Sequence, residues 1–127
     1  MRRAAAGTVS VMALGIAGAP AGAFAEPLAL SVAWGNDAGC RLVGGDNTAG
    51  EDRFVLRAES IEIYETGCDI VEAMPARDGA AVVTGLCQNL DSQWVAHVIV
   101  TKPDAEKGTR QVLNANGELW AEVHPCT

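Results

Sequence analysis

Alternating hydrophobic and polar positions recur along the chain from residue 53 onward and predict a series of short β-strands. The clearest case flanks an Asp-Gly turn signal at Asp78-Gly79, with residues 61–75 leading into it and residues 80–87 leading away. Two runs rich in β-branched residues on either side of such a turn are typical of an antiparallel hairpin. We therefore predict that residues 61–87 form the hairpin around which the rest of the chain folds.

A cysteine lies at the far end of each arm, which predicts a disulfide across the open end of this hairpin. Cys68 and Cys87 face each other directly if the loop has two residues. A left-handed bulge at Gly79 shifts the pairing by one residue, and a tight Asp-Gly turn shifts it by two. Because a one-residue slip would send the two sulfurs to opposite faces, the cysteines favour the first or third register, or a compensating bulge. The candidate positions for that bulge are Gly67, Pro75 and Gly85.

Shorter runs of the same kind predict strands on either side of the hairpin. They cover residues 28–34, 53–57, 61–65, 94–101, 109–113 and 119–123. Residues 94–101 are apolar on both faces apart from His97 and Thr101, which predicts a central strand. Asn116-Gly117 predicts a type I′ turn between the last two strands. The glycine-rich residues 35–50 predict a long loop with a short helical turn.

Seven or eight strands joined in chain order predict an all-β fold, a small up-and-down antiparallel meander or barrel stapled by disulfides. A β-sandwich is the alternative. In an eight-stranded barrel, Cys68 and Cys87 lie at one rim and Cys126 ends the last strand at the other, while the long loop that carries Cys40 can travel. Among the three pairings that four cysteines allow, we therefore predict Cys68–Cys87 and Cys40–Cys126.

The first 25 residues differ in composition from the rest and predict a secretory signal peptide. Met1-Arg2-Arg3 is basic, residues 4–21 are small and apolar, and Ala23-Phe24-Ala25 is a small-x-small cleavage pattern. We expect cleavage before Glu26, no membrane span afterwards, and a single disulfide-bonded β domain over residues 26–127. Four cysteines without a C-x-x-C pair are typical of two disulfides in an exported chain, in the periplasm or secreted.

Charge narrows the classes of partner. The whole chain has nine basic and sixteen acidic side chains, and without Arg2 and Arg3 the net charge is 7 − 16 = −9. Such an acidic protein repels nucleic acid and anionic membrane surfaces. It is compatible with a cationic protein of the envelope as a partner, although solubility in the envelope compartment is the favoured interpretation of the charge.

The sequence has no signature of catalysis. No serine elbow, phosphate loop or dinucleotide-binding glycine pattern occurs, and we predict no catalytic residue, metal or cofactor. His97 and His124 lie far apart among dispersed carboxylates, which does not suit a metal site. The carboxylates of Glu62, Glu65, Asp69 and Glu72 would suit a glycosidase if they were paired, but a solvated acidic face is the favoured interpretation. Trp34, Trp94 and Trp120 would line a cavity if they converged inside a barrel, and otherwise pack in the core.

One pattern of residues resembles a known group. The order Trp34 to Cys40, Tyr64-Glu65-x-x-Cys68, Cys87 to Trp94 and a terminal Cys126 resembles small uncharacterised bacterial periplasmic four-cysteine β proteins over most of residues 26–127. In that group a Gly-Glu-Gly stretch often follows the third cysteine, where this chain has residues 88–91 as Gln-Asn-Leu-Asp. The resemblance implies a periplasmic β protein and carries no activity.

The function that we predict is an exported non-catalytic binding protein of the bacterial envelope, an inhibitor or sequestering partner of a cationic protein. The alternatives are a barrel that binds a small apolar ligand, a structural accessory subunit of an envelope complex and, least favoured, a small hydrolase. Acidic four-cysteine barrels of this size include periplasmic lysozyme inhibitors, although the Ser-Gly-x-x-Tyr motif of one such group is absent. The candidate binding residues are Tyr64, Glu62, Glu65, Glu72 and Trp94.

Overall fold

Each strand pairs with its neighbours in chain order, and the last strand returns to pair with the first. We describe residues 28–127 of a computed structural model of the chain. Eight antiparallel strands close a barrel in the order β1 to β8, so the predicted up-and-down barrel is confirmed. The predicted signal peptide lies outside the described residues. The strands are β1 Trp34–Gly35, β2 Phe54–Leu56, β3 Ser60–Ile63, β4 Thr66–Pro75, β5 Ala81–Gln88, β6 Gln93–Val100, β7 Arg110–Asn114 and β8 Leu119–Pro125, and the helix α1 is Asp37–Val43.

Inward-facing side chains at every second position fill the barrel. On β5 the pattern is strict, with Ala81, Val83, Gly85 and Cys87 buried and the residues between them more exposed. An eight-stranded barrel is just wide enough for side chains to fill its interior, and β-branched residues do most of that here. The residues that are at most 3% exposed in this core are Phe54, Leu56, Ile61, Cys68, Val83, Cys87, Val98, Val100, Val112 and Val123.

The β4–β5 hairpin contains the compensating bulge, at a position that we did not predict. Gly79 has φ 89° and the Ala76 amide donates to the Ala80 carbonyl, which makes a three-residue loop and shifts the register by one. An extra residue, Val71, returns the register so that Cys68 lies opposite Cys87. The predicted positions Gly67, Pro75 and Gly85 were wrong. Val71 lies just beyond the Ser60–Asp69 pair, the last pair between β3 and β4 on this side. Only β5 pairs with β4 around the bulge, so the strand is constrained along one edge instead of two.

The β7–β8 hairpin corrects a second prediction. Gly117 has φ 81°, but Asn116 does not have positive φ, and the type I′ turn requires it at both central residues. The Asn114 amide instead donates to the Glu118 carbonyl, so the loop has three residues. The Asn114 side chain stabilises this loop, since its Oδ1 accepts from the Asn116 and Glu118 amides at 2.9 and 3.0 Å. Trp120 is then the extra residue of a bulge in β8.

The strand predicted over residues 28–34 is largely absent. Only Trp34 belongs to it, because β1 pairs with β2 and β8 over two residues. Leu28 instead folds back, donates its amide hydrogen to the Ala58 carbonyl at 2.8 Å and is 5% exposed in the core. The chain before β1 therefore covers one mouth of the barrel, which we call the lower mouth.

Helix α1, the predicted helical turn, packs on β1 and β2. Asn36 is its N-cap, and the Asn36 Oδ1 accepts from the Gly39 amide at 2.8 Å and from the Phe54 amide at 2.9 Å. One side chain thus begins the helix and fixes it to β2.

Both predicted disulfides are confirmed. Cys68–Cys87 bridges directly opposed residues of β4 and β5, and Cys40–Cys126 joins α1 to the end of β8. Two disulfides suit an oxidising compartment outside the cytoplasm. None of the helices in residues 28–127 is long and apolar enough to cross a membrane.

Candidate functional site

Three of the five predicted binding residues lie together at the upper rim, the end of the barrel where β3 turns into β4. Ile63 pairs with Thr66, so Tyr64 and Glu65 form the tip of a two-residue turn. Glu65 has φ 56° and is the one non-glycine residue of the described chain with positive φ. Glu62 and Glu65 border a shallow surface groove of about 480 Å³. Tyr64, Glu62 and Glu65 therefore lie close together, and whether they bind a partner stays a prediction.

Basic side chains partly occupy this rim. The Arg53 guanidinium lies over the Tyr64 ring, 4.9 Å from its centre, in a cation–π contact. Arg57 Nη1 is 2.9 Å from Glu62 Oε2. Two of the three predicted residues therefore have cationic partners, whereas no cation of the described residues lies within 4.0 Å of the Glu65 carboxylate.

Glu72 and Trp94 lie elsewhere. Glu72 follows the Val71 bulge and lies opposite Thr84, lower on the barrel. Trp94 lies opposite Cys87 on β6 and is 38% exposed. The five predicted residues do not form one site.

The outer face of β4, β5 and β6 carries an exposed apolar surface that the sequence analysis did not identify. We call Val71, Met74, Val82, Leu86 and Val95 the outer patch; they are 44%, 58%, 47%, 37% and 59% exposed. Leu86 lies opposite Val95, and Val82 opposite Met74, so the patch contains two apolar cross-strand pairs. The row between these pairs is polar and consists of Glu72, Thr84 and His97. β6, which we predicted as a central strand, pairs with both β5 and β7, but its outer face is not covered in the described chain. Exposed apolar residues grouped on one face and flanked by polar side chains commonly mark an interaction site.

Acidic residues border this patch. Asp69 lies opposite Leu86 and is exposed, and Glu72 is exposed beside Val71. None of the residues of β4, β5 and β6 is a lysine or arginine. The patch with its border is therefore apolar and negative.

The histidines do not assemble a reactive group. The His97 Nδ1 lies 3.3 Å from the Thr84 hydroxyl on the outer face. The His124 Nε2 lies 3.0 Å from Asp37 Oδ1, where it ties β8 to α1. No cluster of three metal-ligating side chains is present within residues 28–127.

The three tryptophans have separate surroundings. Trp34 is buried in the barrel and 9% exposed, whereas Trp120 packs edge-on against Phe54 with ring centres 5.2 Å apart. Trp94 lies opposite Cys87, at the end of the barrel that carries the Cys68–Cys87 disulfide. They do not make the shared aromatic lining that convergence would have produced.

Arg110 is a candidate that the sequence analysis missed. It lies two residues before the buried Val112 on β7 and shares its inward-facing parity. Its guanidinium lies over the Trp34 ring, 4.7 Å from the ring centre, and borders a pocket at the lower mouth. The two-residue spacing between Arg110 and Val112, which places both side chains on one face of β7, was the signal that could have revealed it.

No protein-family model matches the chain, and neither a curated protein nor a solved structure matches it. The resemblance to periplasmic four-cysteine proteins therefore stays a prediction.

Proposed function

We propose that the protein is an exported, non-catalytic binding protein of the bacterial envelope, located in the periplasm, that binds a basic partner through the outer patch and its acidic border. The observation that carries this proposal is the combination of exposed apolar residues with Asp69 and Glu72 on three strands that contain no lysine or arginine. The partner that complements such a surface presents apolar side chains flanked by lysine or arginine.

The apolar part of the surface supplies affinity. Val95 and Met74 are more than half exposed, and covering them removes apolar area from water at about 25 cal/mol per Å². The strands beneath them are paired along most of their length and stapled by Cys68–Cys87. A rigid surface loses little conformational freedom when it binds, so more of this gain remains as affinity.

The charged part supplies specificity and speed of association. With a net charge of −9 over residues 26–127, the protein attracts cationic partners over distances near the Debye length, about 8 Å at physiological ionic strength. Complementary charge at the edge of an apolar interface mainly selects the partner and raises the association rate. A cationic hydrolase of the envelope, inhibited by such contact, is one partner of this chemistry.

A synthetic amphipathic peptide of leucine and lysine, labelled for fluorescence anisotropy, tests the surface. We expect it to bind the purified, disulfide-bonded protein, and to bind less tightly as salt rises. The same peptide with glutamate in place of lysine should not bind. Equal binding of both peptides would contradict a charge-selected site.

Matched variants locate the binding. Asp69→Lys with Glu72→Lys should weaken peptide binding much more than Glu51→Lys with Glu106→Lys, which makes the same change of net charge at exposed positions outside β4, β5 and β6. Val95→Ser should weaken it more than Leu90→Ser, a residue that is 91% exposed in the loop before β6. Equal effects within either pair would place the partner away from the outer patch.

A further inference from the structure

The lower mouth of the barrel holds a pocket of about 280 Å³ that the outer patch does not involve. It opens where β4 turns into β5 and where β7 begins. Its apolar walls are Leu28, Ala73, Pro75 and Ala81, and its charged wall is Arg110. Sites for small molecules are usually mostly apolar with a few placed polar groups, and this pocket has that composition.

The pocket at the lower mouth exists because two inward-facing side chains of its wall are small. Ala73 and Ala81 face inward on neighbouring strands and are each 8% exposed. Next to Ala81 on β5 and opposite it on β6, the inward positions are Val83 and Val100, which are fully buried. Alanine in place of a branched side chain therefore opens the lower end of a barrel that is filled higher up.

Arg110 has more hydrogen-bonding capacity than the protein uses. A guanidinium has five N–H donors, and with the described residues the Arg110 side chain makes one long hydrogen bond, from Nη1 to the Thr101 carbonyl at 3.5 Å. Its Nε is buried without a partner. Within residues 28–127, no carboxylate lies within 4.0 Å of this guanidinium. Burial lowers the pKa of Arg110, although the group stays charged.

Among residues 28–127 this half-buried cation has no counter-ion, which is unusual in a small barrel. Charges withdrawn from water are normally paired, because the unpaired group loses its hydration without compensation. The Trp34 ring covers one face of the guanidinium by a cation–π contact, so a ligand can approach only the in-plane N–H groups that Thr101 does not occupy. The groups that satisfy in-plane donors of arginine best are carboxylates, which accept two parallel N–H bonds.

We propose that this pocket binds a small monocarboxylate with a short aliphatic chain. The carboxylate pairs with Arg110 at the mouth, and the chain packs against Ala73, Ala81 and Leu28. A phosphate ester fits less well, because Arg110 is the one charged side chain that residues 28–127 contribute to the lining. This site lies on the inner side of β4 and β5, so it is independent of the outer patch.

The competing explanation is that Arg110 only packs on Trp34 and closes the barrel. The two roles differ in their selectivity for the head group of a ligand. A packing role gives no preference among hexanoate, hexanol and hexylamine, whereas the binding role favours hexanoate.

The test is a titration of the purified, disulfide-bonded protein with these three compounds, followed by calorimetry and by amide chemical shifts. We expect hexanoate to bind at least tenfold more tightly than hexanol and hexylamine, with shift changes at Leu28, Ala73, Ala81 and Arg110. Equal binding of hexanoate and hexanol, or no shift change at millimolar hexanoate, would overturn the proposal.

Two variants test separately whether binding needs the charge of Arg110 and whether it needs the open volume of the pocket. Arg110→Met keeps the length of the side chain and should reduce hexanoate binding to the level of hexanol. Ala29→Trp adds bulk at an exposed position of the pocket wall and should block both compounds while leaving Arg110 and the fold intact. If Arg110→Met does not fold, undiminished hexanoate binding by Ala29→Trp is the result that would refute the site. Neither variant should change peptide binding at the outer patch, so failure here leaves the function proposed above unaffected.

Discussion

The two halves of the barrel are closed by different means. In the ladder half, β3 to β6, three strands of ten, eight and eight residues pair along most of their length. In the seam half, which comprises β1, β2, β7, β8 and α1, the strands β1 and β2 have two and three residues. Backbone hydrogen bonds hold the ladder half, whereas the seam half has too few of them to close the barrel by itself.

Individual side chains replace the missing backbone pairing in the seam half. Asn36 fixes α1 to β2, His124 contacts Asp37, and Cys40–Cys126 joins α1 to the end of β8. Such contacts are few and specific, so each carries a larger share of the local stability. We therefore expect matched changes to cost more in the seam half than in the ladder half.

Removal of the seam disulfide should have the largest effect. Loss of Cys40–Cys126, with a sequence separation of 86, should lower the free energy of unfolding by about 4.5 kcal/mol through the freed chain entropy. The shorter Cys68–Cys87 loop, with a separation of 19, should account for about 3 kcal/mol by the same mechanism. Denaturant unfolding of the two double-alanine variants measures both.

Amide hydrogen exchange shows which strands lose stability when each disulfide is removed. Without Cys40–Cys126, amide protection should fall mainly in residues 34–56, because few backbone bonds remain there. Without Cys68–Cys87, the direct pairing of β4 with β5 should persist. If the variant without Cys40–Cys126 loses amide protection equally in the ladder half and the seam half, the two halves do not differ in how they are held together.

The second effect concerns a close approach of backbones. A Cβ on Gly39 would lie 1.9 Å from the Phe54 carbonyl oxygen, so Gly39→Ala must push α1 away from β2. Because that atom belongs to the backbone, the strain cannot be relieved by a rotamer change, and we expect a loss of about 3 kcal/mol. Gly67→Ala is the control in the ladder half, where a Cβ meets nothing within 4 Å and stability should change little. Thermal unfolding of both variants provides the comparison.

The same division explains which parts of the fold could be predicted from the sequence. Alternation and turn residues describe ladders well, and so the ladder strands and the Cys68–Cys87 pairing followed from the pattern of residues 61–101. The seam half depends on contacts between residues distant in sequence, such as Asn36 with Phe54. No periodicity encodes these contacts, and the strand predicted over residues 28–34 was consequently too long.

The candidate sites were predicted less completely than the fold, for a physical reason. Acidic residues stand out in a sequence, so Glu62, Glu65 and Glu72 were selected by their charge. The outer patch depends instead on which apolar residues no other part of the protein covers. On β6 both faces are mostly apolar, so the alternation of residues cannot show which face is exposed. Arg110 is of interest because no carboxylate of the described residues lies within 4.0 Å of its guanidinium, and only the arrangement of the strands reveals this.

The third effect tests the N-cap. Asn36→Ala removes an acceptor for the Gly39 and Phe54 amides and a donor to the Asp52 carbonyl. Loss of the cap costs about 1 kcal/mol, and an unsatisfied part-buried amide adds about 1 to 2 kcal/mol.

Asn89 provides the matched control in the ladder half. Asn89→Ala also removes an acceptor for two backbone amides, those of Asp91 and Ser92, but the bonds are exposed and water replaces them. We expect a loss below about 1 kcal/mol for this variant. Chemical denaturation that finds the two asparagines equal would remove the distinction between the halves.

The smallest effect has the opposite sign and lies at the upper rim. Glu65 adopts φ 56°, a left-handed conformation that costs a non-glycine residue about 1 kcal/mol. Glu65→Gly should therefore raise the free energy of unfolding by about 0.5 kcal/mol after the greater entropy of glycine in the unfolded chain is counted. Gly117→Ala is the reciprocal control, since φ is 81° and a Cβ meets nothing there, so alanine should lower stability by about 1 kcal/mol through the backbone alone.

Strain that persists at an exposed tip is a reason to suspect that the side chain acts in binding. Glu65→Gly with Glu65→Gln separates conformation from charge, because glutamine retains the strain and loses the carboxylate. If the rim contributes to recognition of the basic peptide, both variants should bind it less tightly, although only the glycine variant is stabilised. Binding that is unchanged in both, measured by the same anisotropy titration, would confine recognition to the outer patch and leave the strain at Glu65 as a consequence of the two-residue turn alone.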